Sequence, residues 1–147
     1  MKLYYIPISG NSYKVRILLS LLNVPHEKVV FDHLKNEHKQ PAFLKLNPRG
    51  EVPVIEDDGA VIWDSAACLV YIARKYGAEQ WLPGAPAAMA QVMQWVALAG
   101  NEIQFGLQYG RRGVRQGRWT AGTLEQCQAT GRVALNALEG RLTNNEW

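Results

Sequence analysis

Val52-Pro53-Val54-Ile55-Glu56-Asp57-Asp58-Gly59-Ala60-Val61-Ile62-Trp63-Asp64-Ser65 is the stretch that decides the fold. Two apolar runs, 52–55 and 60–63, flank a polar segment ending in Asp-Gly, which predicts a β-hairpin. Pro53 has no N–H to give to a ladder, so Val52-Pro53 belongs where a strand opens. A cis bond before Pro53 would be a built-in turn feature. Asp64-Ser65 is a helix N-cap signal. The helix behind it runs through Ala66, Leu69, Val70, Ile72 and Ala73 to Tyr76, and Gly77 ends it.

Upstream, Leu3-Tyr4-Tyr5-Ile6 predicts a buried strand, and Pro7 and Gly10 bound the loop after it. Val15, Ile17, Leu18, Leu19, Leu21 and Leu22 predict a largely buried helix over 12–22, stopped by Asn23 and Pro25. Residues 27–31 predict a second strand. Residues 33–40 are polar and predicted to lie at the surface, and 41–46 form a short helical turn. Asn47-Pro48-Arg49-Gly50 is a turn by composition. The first 77 residues thus read β-α-β-(α)-β-β-α. Residues 78–86, with Pro83, Gly84 and Pro86, read as a linker. Beyond them the signals are helical only, with one long helix over about 87–112 and another over about 123–142.

Composition sets the bounds. The chain has 147 residues, 48% of them apolar, enough for a real core and against disorder. A net charge of +3, with basic residues scattered apart from Arg111, Arg112, Arg115 and Arg118, is low for a nucleic-acid binder. Cys68 and Cys127 fall inside apolar helical patterns without metal-ligand spacing. They read as buried free thiols, which suits a cytoplasmic location. No metal site is expected. The N-terminus is too soon broken by Pro7 for a signal peptide, and no apolar run is long enough to span a membrane.

The β-α-β then β-β-α order is that of the thioredoxin fold. Four separated motifs carry a closer resemblance. Phe43-Leu44-Lys45-Leu46-Asn47-Pro48-Arg49-Gly50-Glu51-Val52-Pro53-Val54-Ile55 resembles the segment leading into the cis-proline of glutathione S-transferases. Trp63-Asp64-Ser65-Ala66-Ala67 and Tyr71-Ile72-Ala73-Arg74-Lys75-Tyr76-Gly77 resemble that family's glutamyl-binding corner and the helix behind it. Tyr4-Tyr5-Ile6-Pro7-Ile8-Ser9-Gly10-Asn11-Ser12 resembles its serine-type bacterial classes. The resemblance implies an α/β thioredoxin-like N-terminal domain over 1–77, with a mixed four-stranded sheet. A linker over 78–86 and a truncated all-α domain of two long helices over 87–147 would follow, since family chains carry further helices.

The chemistry requires a thiolate. A free thiol with a pKa near ~8.5 is roughly 3% ionised at pH 7. Lowering that pKa by about two units takes about 2.7 kcal/mol of differential stabilisation. A hydroxyl donor beside a helix N-terminus can supply this. By spacing alone Ser9, Asn11 and Ser12 read as helix caps first, the commonest task of such residues at a helix start. The resemblance assigns Ser9 to the active-site position, with Asn11 the second candidate. Ser9-Gly10-Asn11-Ser12 stands where thiol-disulfide relatives carry Cys-x-x-Cys, and it holds no thiol.

For the peptide, the resemblance implies that Val52, beside Pro53, pairs with the cysteinyl backbone like an added strand. Asp64 and Ser65 would hold the γ-glutamyl end. Lys39, with His38 beside it, would approach the glycine carboxylate. Glu51 departs from the lysine or glutamine often found there, and Arg49 stands near enough in sequence to offset it. Asn101, Phe105, Tyr109 and Arg112 form a stripe along the first long helix that reads as core or dimer contact more readily than as substrate pocket. The expected function is that of a glutathione S-transferase, with glutathione as co-substrate and no other cofactor. Its thiolate would be conjugated to a small electrophile or used to reduce a peroxide, in a homodimer. The alternative is a non-catalytic glutathione-binding or regulatory protein on the same scaffold.

Overall fold

The computed structural model describes residues 1–145, in two compact units, Met1–Ala85 and Pro86–Trp147. The first unit holds strands β1 (Lys2–Tyr5), β2 (Glu27–Val30), β3 (Val54–Asp57) and β4 (Ala60–Trp63) in the order β2-β1-β3-β4. β1 and β2 run parallel. β3 is antiparallel to both β1 and β4. The sheet is therefore mixed and four-stranded. Helices α1 (Gly10–Leu21) and α3 (Ser65–Tyr76) pack on one another, and the short helix α2 (Pro41–Leu44) leads into β3.

Each element has a local cause. Ser9 caps α1: its Oγ accepts the Ser12 N–H at 3.2 Å. Beyond the helix, Asn23 takes the left-handed conformation that Asn tolerates (φ +53°), and the chain turns into Pro25. In the hairpin, Asp58 and Gly59 both have positive φ (46° and 82°) between the paired Asp57 and Ala60. That is the two-residue turn whose twist matches the strands it joins. β3 begins at Val54, so Val52 and Pro53 stand outside the ladder, where a missing N–H costs nothing. The Val52–Pro53 peptide is cis.

The core lies under α1 and α3, with Leu3, Val15, Leu19, Ile55, Cys68 and Ile72 all fully buried. On the other face of the sheet the rings of Tyr4, Phe31 and Phe43 meet, with centroids 4.8–5.9 Å apart. At the hairpin end, the buried Asp57 clasps α3. Its Oδ2 accepts from Lys75 Nζ at 2.5 Å, Tyr76 Oη at 2.7 Å and Tyr71 Oη at 3.1 Å. Burial alone would raise the Asp57 carboxyl, but these three donors overrule it and hold the pKa at about 2.

Residues after Gly77 carry more structure than their turn-rich composition implies. A short helix, α4 (Ala78–Trp81), is tied down by Arg74 to Glu79 at 2.7 Å and by Gly84 N–H to Glu79 Oε2 at 2.5 Å. The polar segment 33–40 likewise holds a 3₁₀ turn, Glu37–Lys39. Periodicity detects neither, because each is too short to repeat.

The second unit is helical. α5 (Pro86–Leu98), a π-helical segment (Ala99–Gln108) and α6 (Tyr109–Gln116) form one continuous path, and α7 (Ala121–Asn144) packs on it. Gly117 in the left-handed conformation (φ +61°) closes α6, and Thr120 caps α7 through the Thr123 N–H. The two arms meet at glycine: a Cβ on Gly106 would lie 2.4 Å from the Gly131 nitrogen. Among the described residues no helix is long and apolar enough to cross a membrane.

Candidate functional site

Strand register gathers the candidate residues at one end of the sheet. Tyr4 pairs with Val54, so Val52 and Pro53 run on beside the chain leaving β1 toward Ser9. Trp63 also pairs with Val54, which brings Asp64 and Ser65 to that same end. The Phe31 N–H donates to the Tyr5 carbonyl at 2.9 Å, so the segment after β2 begins there too. The Asp57 clasp occupies the opposite end.

Ser9 is half-buried. It is positioned by its own N–H to the Ile6 carbonyl (3.0 Å) and by its carbonyl, which accepts from Tyr13 N–H (2.9 Å). Because Oγ already accepts from Ser12 N–H, the hydroxyl proton is the group left to offer outward. Asn11 is half-buried on the first turn of α1. Ser12 is fully buried, and its Oγ has no hydrogen-bond partner among the described residues.

Asp64 has a positive φ (+74°). Its Oδ1 accepts the Ala66 N–H at 2.8 Å, so it caps α3, and the buried Ser65 opens that helix. Arg49 reaches both acidic neighbours, Glu51 Oε2 at 2.8 Å and Asp64 Oδ2 at 3.6 Å. It therefore offsets the carboxylate at 51. Burial pulls the Lys14 ammonium below its ordinary value, and the charge of Asp64 pulls the other way. Lys39 Nζ donates to the Arg49 carbonyl at 3.1 Å, which ties the 3₁₀ turn to the loop before Pro53. Burial also lowers the His38 imidazole, helped by Lys39 and His33.

One organising residue escaped the sequence reading. Asn47 is 1% exposed; its Nδ2 donates to the Glu51 carbonyl at 2.8 Å and its Oδ1 accepts the Arg49 N–H at 3.0 Å. It pins the loop that delivers Val52 and Pro53. Its only sequence signal, an Asn before a Pro, is shared by ordinary turns.

Beside Ser9 opens a cleft of about 480 Å³. Pro7, Ile8, Val30 and Phe31 make its apolar wall, and Asp32, His33 and Glu37 its polar side. The stripe Asn101, Phe105, Tyr109 and Arg112 lies in the second unit and is exposed. There the Tyr109 ring lies tilted against Trp119, centroids 4.6 Å apart, and meets Phe105 at 6.2 Å. Among the described residues no group of three His, Cys, Asp or Glu side chains is placed to hold a metal ion.

A mixed sheet in this order, a cis-proline beside it, and a helix capped by serine at the end where the candidate residues gather define a thioredoxin-like fold with an added helical unit. Residues 8–75 match the family model of the glutathione S-transferase N-terminal domain. The crystal structure of a glutathione S-transferase from Pseudomonas fluorescens superimposes with a TM-score of 0.84 at 31% identity, over 98% of this chain and 72% of that one. The chain belongs to the glutathione S-transferase family. A second family member from the same species, solved with two glutathione bound, gives a TM-score of 0.86 at 28% identity, over 99% of this chain and 67% of that one. The maleylacetoacetate isomerase of Pseudomonas aeruginosa is 35% identical over 106 residues, covering 70% of this chain and 50% of the relative. The chain spans about half the length of the curated relatives it matches.

Proposed function

We propose that this chain binds glutathione at the C-terminal end of β1 and presents its sulfur as a thiolate for transfer to a small electrophile. The observation that carries the reading is Ser9: an N-cap whose Oγ is fixed by Ser12 N–H and whose proton is left to donate. A donated hydroxyl and the N-terminus of α1 act together on one sulfur, each favouring the anion. Val52 offers backbone hydrogen bonds to the cysteinyl unit, and cis-Pro53 keeps that edge clear of the ladder. Ser65 and the start of α3 hold the γ-glutamyl carboxylate, and Asp64 its ammonium. Lys39 receives the glycine carboxylate, and Asn11 is the second donor near the sulfur.

In conjugation the sulfur forms a bond to the electrophilic carbon. The leaving group departs with its electron pair, and the thiol proton goes to solvent. Reduction of a peroxide by two glutathiones would use the same thiolate. No other cofactor is needed. Residues 1–77 are the glutathione-binding domain, 78–86 the connection and 87–147 a partial helical domain. We place the protein in the cytoplasm, as a homodimer in detoxification. The isomerase relative supports a second reading. A thiolate that adds reversibly to an activated double bond leaves a single bond free to rotate, so Ser9 would serve isomerisation equally.

The test is turnover of a generic aryl halide with glutathione, together with the ultraviolet thiolate band of bound glutathione. Ser9→Ala is expected to cut kcat/KM by about 100-fold. It should also raise the pH midpoint of the thiolate band by up to about two units. Glutathione binding without turnover, and a thiolate band indifferent to Ser9→Ala, would leave the non-catalytic alternative standing.

A further inference from the structure

The cleft beside Ser9 carries a charge pattern that selects among electrophiles. Its wall is apolar, made by Pro7, Ile8, Val30 and Phe31, and it begins one residue before Ser9. Its polar side holds two carboxylates, Asp32 and Glu37, together with the exposed His33 imidazole. Both are fixed in place: Glu37 Oε2 accepts the Asp32 N–H at 2.7 Å, and Asp32 Oδ1 accepts the Leu34 N–H at 2.9 Å. Lys35 lies 3.8 Å from Asp32, but its side chain is 73% exposed and takes no part in the lining. The acidic side also makes this a poor seat for the glycine carboxylate of glutathione, which has Lys39 nearby.

We infer that this cleft receives the electrophile, and that Asp32 and Glu37 make it prefer neutral or cationic apolar compounds and reject anionic ones. The inference rests on the reading of Ser9 as the thiolate donor, and it decides between the two reactions left open above. Maleylacetoacetate, by its name, carries two carboxylates. Such a dianion entering beside Ser9 would meet two fixed negative charges at close range, where like-charge contact is unfavourable. An apolar aryl or alkyl electrophile meets the wall and pays nothing. The structure thus favours transfer to uncharged acceptors over isomerisation of a diacid.

The test uses conjugates that report on both subsites without turnover. S-benzylglutathione and its para-carboxy and para-trimethylammonio derivatives are titrated calorimetrically into the full chain, alongside glutathione itself. The carboxy conjugate is expected to bind about tenfold more weakly than the trimethylammonio one at low salt, and the gap should shrink near about 0.5 M salt. Asp32→Asn with Glu37→Gln removes the charge while each amide oxygen still accepts its backbone N–H, so the loop keeps its hydrogen bonds. In that double variant the gap should fall to within about twofold. Asp58→Asn removes one charge at the opposite end of the sheet and should leave the preference intact.

Equal binding of the charged conjugates, or a preference that survives the double variant, overturns the inference while glutathione binding stands. Failure of glutathione and every conjugate to bind overturns both this inference and the Ser9 reading beneath it.

Discussion

The two units reach stability by different means. The ten largest fully buried side chains, from Leu3 and Leu19 to Cys68 and Ser12, all belong to the first unit. The second unit buries Cys127 and Ala134 among its apolar side chains, and it also buries Gly106, Gly110, Gly113 and Gly131. It leaves Phe105, Val114, Val133 and Leu135 about half exposed. The first unit is built around side chains, whereas the second is built around their absence, with backbones in near contact at Gly106 and Gly131. Burial of large apolar groups is worth about 1.5–3 kcal/mol per side chain. The first unit therefore has the larger margin, and it is the unit that carries the candidate site.

The largest expected effect is in the first core. Ile72→Ala leaves a cavity between α3 and the sheet and should cost about 3–4 kcal/mol in urea unfolding. In the second unit the counterpart is an addition. Gly106→Val inserts atoms where the Gly131 backbone already stands, so it should cost about 2–3 kcal/mol and accelerate amide exchange along α7 more than along β1 or β3. Next comes the clasp. Asp57→Asn removes the charge that Lys75 answers and should cost about 2 kcal/mol at pH 7. In the wild type, the folded carboxyl titrates at about 2, below its unfolded value. Its contribution is thus complete above pH ~4 and fades as pH falls from about 4 to about 2. The Asn variant should lack that acid limb in a pH series of urea midpoints. The smallest effect is Leu135→Ser, half exposed on α7, at no more than about 0.5 kcal/mol. A large loss there would show that the second unit has a side-chain core after all.

What sequence could and could not tell follows the same division. Asp58-Gly59 specified its hairpin because only a two-residue turn with positive φ twice fits between Asp57 and Ala60. Asp64-Ser65 opens α3 where a cap signal placed it. By sequence Val52-Pro53 reads as the opening of a strand, yet the ladder starts two residues later, at Val54, since pairing needs the N–H that Pro53 lacks. The single long helix expected over 87–112 is interrupted by ten π-helical residues and continues to Gln116. Periodicity does not register this, because it reads apolar spacing, whereas the segment meets α7 at glycines, Gly106 against Gly131. At the candidate site, local caps and breakers placed Ser9, Val52 and Asp64 at element boundaries, but their roles came only from the family resemblance. The Asp32–Glu37 side of the cleft was not legible, because those two carboxylates acquire meaning only when β2 pairs with β1 and carries them beside Ile8.

The burial of Cys68 has a consequence for a protein proposed to bind glutathione. Its thiol is fully buried, with Sγ 3.5 Å from the Ile62 carbonyl. Burial, with the charge of Asp64 added, pushes its pKa up to about 12. Attack on a disulfide requires a thiolate with access to it. Cys68 has neither, so oxidised glutathione can accumulate around the folded first unit without forming a mixed disulfide in its core.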